Sequence, residues 1–366
     1  MSTPKARVIA FYLPQFHPIP ENDEWWGEGF TEWTAVRRAT PQFPGHVQPK
    51  VPTELGYYDL RDPAVRQAQA DLARAHGIEG FCYWHYWVGN GRRLLEAPFD
   101  AVLNSGEPDF PFCLGWANHD WKGTIFGAGK RCLLKQEYPG QADFDAHFEL
   151  LVKAFQDPRY IRVDGKPLFY IYLPAQIPNC KQLLTDWRQR AWDAGLNGLF
   201  VIGGLAEGYT AASLGLDGIH ISRHRHIERA ERQRRQRLLK RLKFLPPVHE
   251  GLQKRWSKGP RIYRYHAAIR QVLARRYRDN EYPTIVPNWD TTPRYADDAT
   301  IYADARPDVF QKHVREALKK VQDRTIQQRI VFLKSWNEWA EGNYIEPDQE
   351  FGRARLECLR RELMPG

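Results

Sequence analysis

"RIVFLKSWNEWAEGNYIEPD", residues 329–348, decides how this chain reads. Its first half is a short apolar, β-branched run, the pattern of a strand buried on both faces. Its second half is neither ordinary loop nor ordinary core. A surface loop needs no Trp336 or Trp339, and a packed core does not want Glu338, Glu341 and Glu346. Acids and aromatic rings at the carboxyl end of a buried strand point to a pocket.

Seven further runs of the same kind precede it: "RVIAFYL" (7–13), "EGFCYW" (79–84), "FPFCLGW" (110–116), "PLFYIY" (167–172), "GLFVIGG" (198–204), "DGIHIS" (217–222) and "PTIVPN" (283–288). Helical patterns alternate with them. "DPAVRQAQADLARAHG" has an Asp-Pro start and a Gly stop. "DFDAHFELLVKAFQD", "CKQLLTDWRQRAWDAG" and "RPDVFQKHVREALKKVQD" carry apolar residues three and four apart. A last helix is expected over "DQEFGRARLECLRREL". Eight buried strands alternating with helices predict an α/β fold, a (β/α)8 TIM-type barrel, as one domain over residues 1–366. The competing fold is an open doubly wound sheet. No GxGxxG follows the first strand, which counts against it.

Each strand is followed by unusual residues. "PQFHPIPENDEWWGEGFTEW" follows the first, "HYWVGNGRR" the second, "ANHDWKG" the third, "WDTTPRY" the seventh and "NEWAEGNYIEPD" the eighth. In a barrel these segments share the face on which active sites are built. The clustering of Trp25, Trp26, Trp33, Trp87, Trp121, Trp289, Trp336 and Trp339 there fits a cleft in which rings stack on sugar faces. Glu338 and Glu341, three apart, would project to one side of a helical turn. Two carboxyls in one aromatic pocket can be driven to different pKa values, one giving a proton and one taking it. Glycosidic bond cleavage needs such a pair. Two loop glutamates that merely cap and form ion pairs are the plainer alternative.

Composition narrows the rest. No apolar run approaches the ~20 residues that span a bilayer. The start, "MSTPKARVIAFYLPQFH", lacks a signal-peptide core. Five scattered cysteines without a CxxC pair fit buried thiols in a reducing compartment. The expected location is therefore the cytoplasm. No HxH or HExxH spacing supports a metal site built on His17, His85, His119 and Asp120, and no cofactor is expected. The net charge of +9 is local: "SRHRHIERAERQRRQRLLKRLKF" (222–244) holds eight Arg and two Lys against two Glu. A basic helical insertion at about 222–260 after strand six is expected. An anionic membrane surface is a candidate partner for 222–244, placing the protein peripherally at the inner membrane face. Nucleic acid is not expected, since no binding motif accompanies the charge.

The segments "IAFYLPQFHPIPENDEWWGEGFTEW", "GFCYWHYW", "FPFCLGWANHDW", "YIRVDGKPLFYIY", "PNWDTTPR" and "SWNEWAEGNYIEPD" resemble, in this order, the WbsX family of carbohydrate-active proteins. More distantly they resemble the family 99 glycoside hydrolases, the endo-α-mannosidases and mannanases. The resemblance implies a barrel, a glycan substrate and a place in surface-polysaccharide metabolism of the O-antigen, lipopolysaccharide or capsule type. It implies Glu338 as base and Glu341 as acid/base, with the base deprotonating the sugar's own 2-hydroxyl and net retention. Substrate contacts are expected from His17, Glu32, Trp33, Trp84, His85, Trp116, Asn118, His119, Asp120, Trp289, Asp290, Trp336, Asn337, Trp339 and Glu346. "WANHDW" departs from the family's usual WANENW at His119 and Asp120. Two other functions stay open: a glycosyltransferase using a nucleotide- or lipid-linked sugar donor, and a non-catalytic glycan-binding barrel.

Overall fold

The structure, a computed structural model, describes residues 4–123, 126, 129, 131–222, 236–244 and 259–364. The barrel strands are β1 (Arg7–Tyr12), β2 (Gly80–Trp87), β3 (Phe112–Trp116), β4 (Lys166–Ile171), β5 (Phe200–Gly204), β6 (Gly218–His220), β7 (Glu281–Tyr282), β8 (Thr284–Ile285) and β9 (Ile330–Leu333). Every neighbouring pair runs parallel. β7 and β8 are one barrel position broken at Pro283, which has no N–H to give. β7 pairs with β6 and β8 with β9, and β9 pairs with β1, closing the ring. The Pro283 carbonyl still accepts the Phe332 N–H at 3.0 Å.

Among the described residues the main helices between and after the strands are α1 (Pro63–Ala75), α2 (Ala97–Ser105), α3 (Gln141–Phe155), α4 (Cys180–Asp193), α5 (Ala211–Leu214), α6 (Tyr265–Leu273), α7 (Pro307–Lys319) and α8 (Ala354–Leu363). α1 begins at the expected Asp-Pro, with the Asp62 carboxylate accepting the Ala64 N–H. α8 starts six residues later than its sequence pattern suggests. The Asp348 carboxylate takes the Tyr344 hydroxyl, the Phe351 N–H and Arg355, and so holds the preceding residues in a turn.

Strand alternation sorts the side chains. Phe11 points into the barrel, stacked between Trp84 and Phe332 at 4.7 and 5.3 Å. Its neighbour Tyr12 points out, donating to Gln69 of α1. Low in the barrel, the Tyr170 hydroxyl lies 3.0 Å from His220 Nδ1, and His220 Nε2 lies 2.6 Å from the Thr284 hydroxyl. Thr284 in turn donates to the Ile221 carbonyl. Burial lowers the His220 pKa to about 3, so this polar string is neutral. Among the described residues no helix is long and apolar enough to cross a membrane. The basic segment expected at 222–244 lies outside the described residues apart from Ser222 and 236–244, of which 236–241 are helical.

Candidate active site

The rim beyond β9 turns sharply. Residues Asn337–Glu338 pair antiparallel with Asn343–Tyr344, and a 3-10 turn, Trp339–Glu341, joins them. Three residues per turn eclipse positions three apart, so Glu338 and Glu341 project together. The Glu341 charge acts directly on Glu338. Both line a cleft of about 410 Å³ at the carboxyl ends of the strands. Trp26, Trp84, Tyr86, Trp121, Phe126 and Tyr172 form its aromatic walls, and Lys334 and Arg294 add positive charge beside the acids.

The two carboxyls differ in their partners. Glu338 receives the Trp84 indole N–H at 2.9 Å. Burial pushes its pKa up, and the Glu341 charge pushes it further, to about 7 against the pull of Lys334 and Arg294. Glu341 instead holds the cations: Arg294 Nη1 lies 2.5 Å from one oxygen. The Asn343 amide donates to the other at 2.8 Å, with Lys334 Nζ at 3.8 Å. The cations thus rest on Glu341, and the raised affinity for a proton falls on Glu338.

Of the other expected contact residues, Trp84, His119 and Asp120 line the cleft. Asp120 is fixed by the Gln136 N–H at 2.9 Å, and the His119 ring packs edge-on to Tyr172. The rest do not face it. His85 and Trp116 follow the outward parity of β2 and β3: His85 meets His147 of α3 at 2.9 Å, and Trp116 stacks near Trp187 of α4. His17 lies buried, away from the lining, and burial lowers its pKa against the pull of Asp59. Trp33 donates its indole N–H to the Tyr58 carbonyl, and Trp336 packs fully buried on Phe81. Trp289 is buried beneath Lys334, whose Nζ sits 5.1 Å above its ring. The Asp290 carboxylate is occupied by His46, Gln48 and Thr292, and it accepts the Thr292 N–H at the start of the turn that carries Arg294. Trp339 stacks on Tyr344 and donates to Glu346. Glu346 is sealed among Tyr58, Gln69 and Trp339. Glu32, fully buried, lies behind Arg294.

Asn118 and Asn337 act one step back. Each side chain pairs with a main-chain amide and carbonyl as a neighbouring strand would. Asn118 holds Leu173 at 2.8 and 2.9 Å, and Asn337 holds Leu13 at 2.7 and 3.0 Å. Leu13 and Leu173 both line the cleft, so these amides shape it without touching its contents.

Sequence reasoning did not single out Gln15, Tyr86, Lys122, Tyr172, Arg294, Tyr295 or Lys334, all of which line the cleft. Lys334 carried a signal, a cation closing the otherwise apolar "IVFL". Arg294 sat inside a quoted rim segment but had no visible partner until the barrel brought 294 beside 341. Among the described residues no group of three or more His, Cys, Asp or Glu is placed to hold a metal ion.

Comparison with known proteins agrees with the barrel fold. The profile of the family described as Glycosyltransferase WbsX matches residues 8–359. The "Uncharacterized protein WxcX" of Xanthomonas campestris pv. campestris strain B100 is 35% identical over 365 residues. The match covers 98% of this chain and 50% of that one, and the WxcX of strain ATCC 33913 matches equally. The chain thus spans about half the length of the curated relatives it matches. A solved "Glycoside hydrolase-like protein" superposes with a TM-score of 0.58 at 17% identity, over 99% of this chain and 94% of that one. The GH99 endo-alpha-mannosidase from Bacteroides thetaiotaomicron superposes at 0.55 and 13% identity, over 97% and 95%. At such identities the likeness is one of fold. The family profile and the WxcX identity run the length of the described barrel, and the chain belongs to the WbsX glycosyltransferase family.

Proposed function

We propose that this chain breaks a glycosidic bond of a polysaccharide or its precursor, with Glu338 and Glu341 as the reacting pair. The observation that carries this reading is the pair itself. Two carboxyls meet in one aromatic cleft, Glu338 with its affinity for a proton raised and Glu341 held by Arg294 and Lys334. As the anomeric C–O bond breaks, the protonated carboxyl gives its proton to the departing oxygen. The ionised one takes a proton from the attacking hydroxyl. The pair ends with a single proton, as it began. The aromatic walls supply faces for sugar rings, and Lys334 and Arg294 keep the charged partner charged.

The attacking hydroxyl distinguishes hydrolysis from transfer. Water gives a hydrolase, and an acceptor sugar gives the transferase that the family description names. Bond breaking at the anomeric carbon is common to both. The test is mass spectrometry of products after incubation with surface-polysaccharide fragments, α-mannosides and nucleotide sugars, with and without acceptor glycans. Wild-type turnover absent from Glu341→Gln supports the reading. Equal turnover in both refutes the pair.

A second observation bears on location. Within 236–244, Arg237, Lys240, Arg241 and Lys243 flank an exposed Leu238 and a Phe244 that is 88% exposed. Cations around an open ring suit an anionic lipid surface, at about 1 kcal/mol per engaged cation. Co-sedimentation with anionic but not neutral liposomes, lost at high salt, is the expected result. Equal binding to both would remove this role.

A further inference from the structure

Behind the reacting pair lies a residue that reaches no substrate. Glu32 opens the helix Glu32–Arg38 on the loop after β1, and no part of it is exposed. One carboxylate oxygen accepts two donors: Arg294 Nη2 at 3.0 Å and the Ala340 N–H at 3.0 Å. The amide of Gln15 lies 3.5 Å from the other. Ala340 belongs to the turn that carries Glu338 and Glu341. Arg294 therefore spans two acids, Glu32 behind and Glu341 in front. Its guanidinium cannot turn from one without releasing the other.

We propose that Glu32 is a positioning residue, which locks Arg294 against Glu341 and so determines which member of the Glu338–Glu341 pair carries the negative charge. Its functional meaning rests on the proposed glycosidic reaction; the charge placement itself does not.

The electrostatics come from the count of groups. Glu32, Glu338 and Glu341 face Arg294 and Lys334, with the Tyr86 and Tyr295 hydroxyls at the edge; elsewhere in the cleft lining, Asp120 and Lys122 add one charge of each sign beside His119 and so leave the balance unchanged. Three acids cannot all ionise beside two cations in a buried site without one acid surplus to the cations. With Glu32 and Glu341 both on the guanidinium, the surplus falls on Glu338, which among the described residues has an indole N–H and no cation within ion-pair distance. Replacing Glu32 by Gln removes one acid. Arg294 then serves the pair alone, and Glu338 ionises more readily.

A reporter that needs no substrate already exists, because the Trp84 indole N–H touches Glu338. We expect its 15N–1H resonance, assigned by its loss in Trp84→Phe, to shift as Glu338 titrates. In Glu32→Gln the midpoint should move to lower pH by about half to one unit, the size of losing one close charge in a partly screened site. Arg294→Lys keeps the charge but loses the two-sided fork, and should move the midpoint upward. Unchanged midpoints in both folded variants would overturn the proposal. If Glu32→Gln fails to fold, Arg294→Lys alone decides, and its unchanged midpoint is equally fatal. Once a substrate is known, the pH–rate profile of Glu32→Gln should shift in the same direction. A uniform fall at all pH values would mean a purely structural role. A failed glycan screen with a shifted midpoint would instead sink the assigned reaction and leave the charge placement standing.

Discussion

Glu338 and Glu346 sit eight residues apart on one rim segment, and burial raises both to about 7. Each also receives an indole N–H, Glu338 from Trp84 and Glu346 from Trp339. By pKa alone they are twins. Their surroundings separate them. Glu346 is closed in by three donors, from Tyr58, Gln69 and Trp339, and lines no part of the cleft. Glu338 has one such donor, an acid beside it and open space in front. A perturbed carboxyl marks a reaction only where a second acid and room for a substrate accompany it.

The comparison can be broken most directly by substitution. Glu341→Gln and Glu338→Gln should each lower turnover by ~10²–10⁴-fold. Glu346→Gln should leave turnover within a few-fold. Its amide would instead set an N–H against the Trp339 or Gln69 donor, costing about 1–3 kcal/mol of stability. Steady-state kinetics and denaturant melts on all three variants would show it. A turnover loss in Glu346→Gln matching the other two would erase the distinction.

Gly342 divides the two halves of the segment. It has a φ of +59°, and a Cβ there would lie 2.6 Å from the Asp290 backbone nitrogen and oxygen. Gly342→Ala should cost about 1–3 kcal/mol through strain. It should also lower turnover, because Asp290 N–H bonds the Glu341 carbonyl and the turn must shift as a unit. A variant with wild-type melting and turnover would show that the division is not held there.

The pH dependence sharpens the pairing further. An ordinary glutamate titrates near 4.5, and both groups bind their protons more tightly when folded. Their contribution to stability is complete below about pH 4.5 and is lost as pH rises through about 7. Glu338→Gln and Glu346→Gln should each flatten the fall in stability between pH 5 and 8. Only the first should also abolish turnover. A wild-type stability that rises across that window would mean that neither group is buried as a neutral acid.

The smallest effects are expected at the indoles. Trp84→Phe should change turnover a few-fold with little change in melting. Trp339→Phe should cost about 1–2 kcal/mol and leave turnover alone. Reversed outcomes would place the cleft on the wrong glutamate.

The strands, most helices and the gathering of acids and aromatic rings beyond the last strand were legible in the sequence because burial on both faces and apolar spacing leave direct marks. The side each rim residue takes was not. His85 adjoins the cleft-facing Trp84 in sequence, yet it packs against α3, because successive strand residues point oppositely and nothing in a continuous apolar run reveals the phase. Asn118 and Asn337 read as ligand contacts because an amide suits a sugar and a peptide group equally well.

The sequence by itself determined the barrel and the joint projection of Glu338 and Glu341. Alternating buried strands and helices admit few arrangements, and a spacing of three on a tight turn leaves two side chains little choice of direction. Only the tertiary structure decided that Glu346 is sealed, that Glu32 lies behind Arg294, and that the cations rest on Glu341. Those outcomes depend on groups up to 288 residues apart in the chain meeting in a low-dielectric site. There a charge is set by its contacts in space, not by its neighbours in the chain.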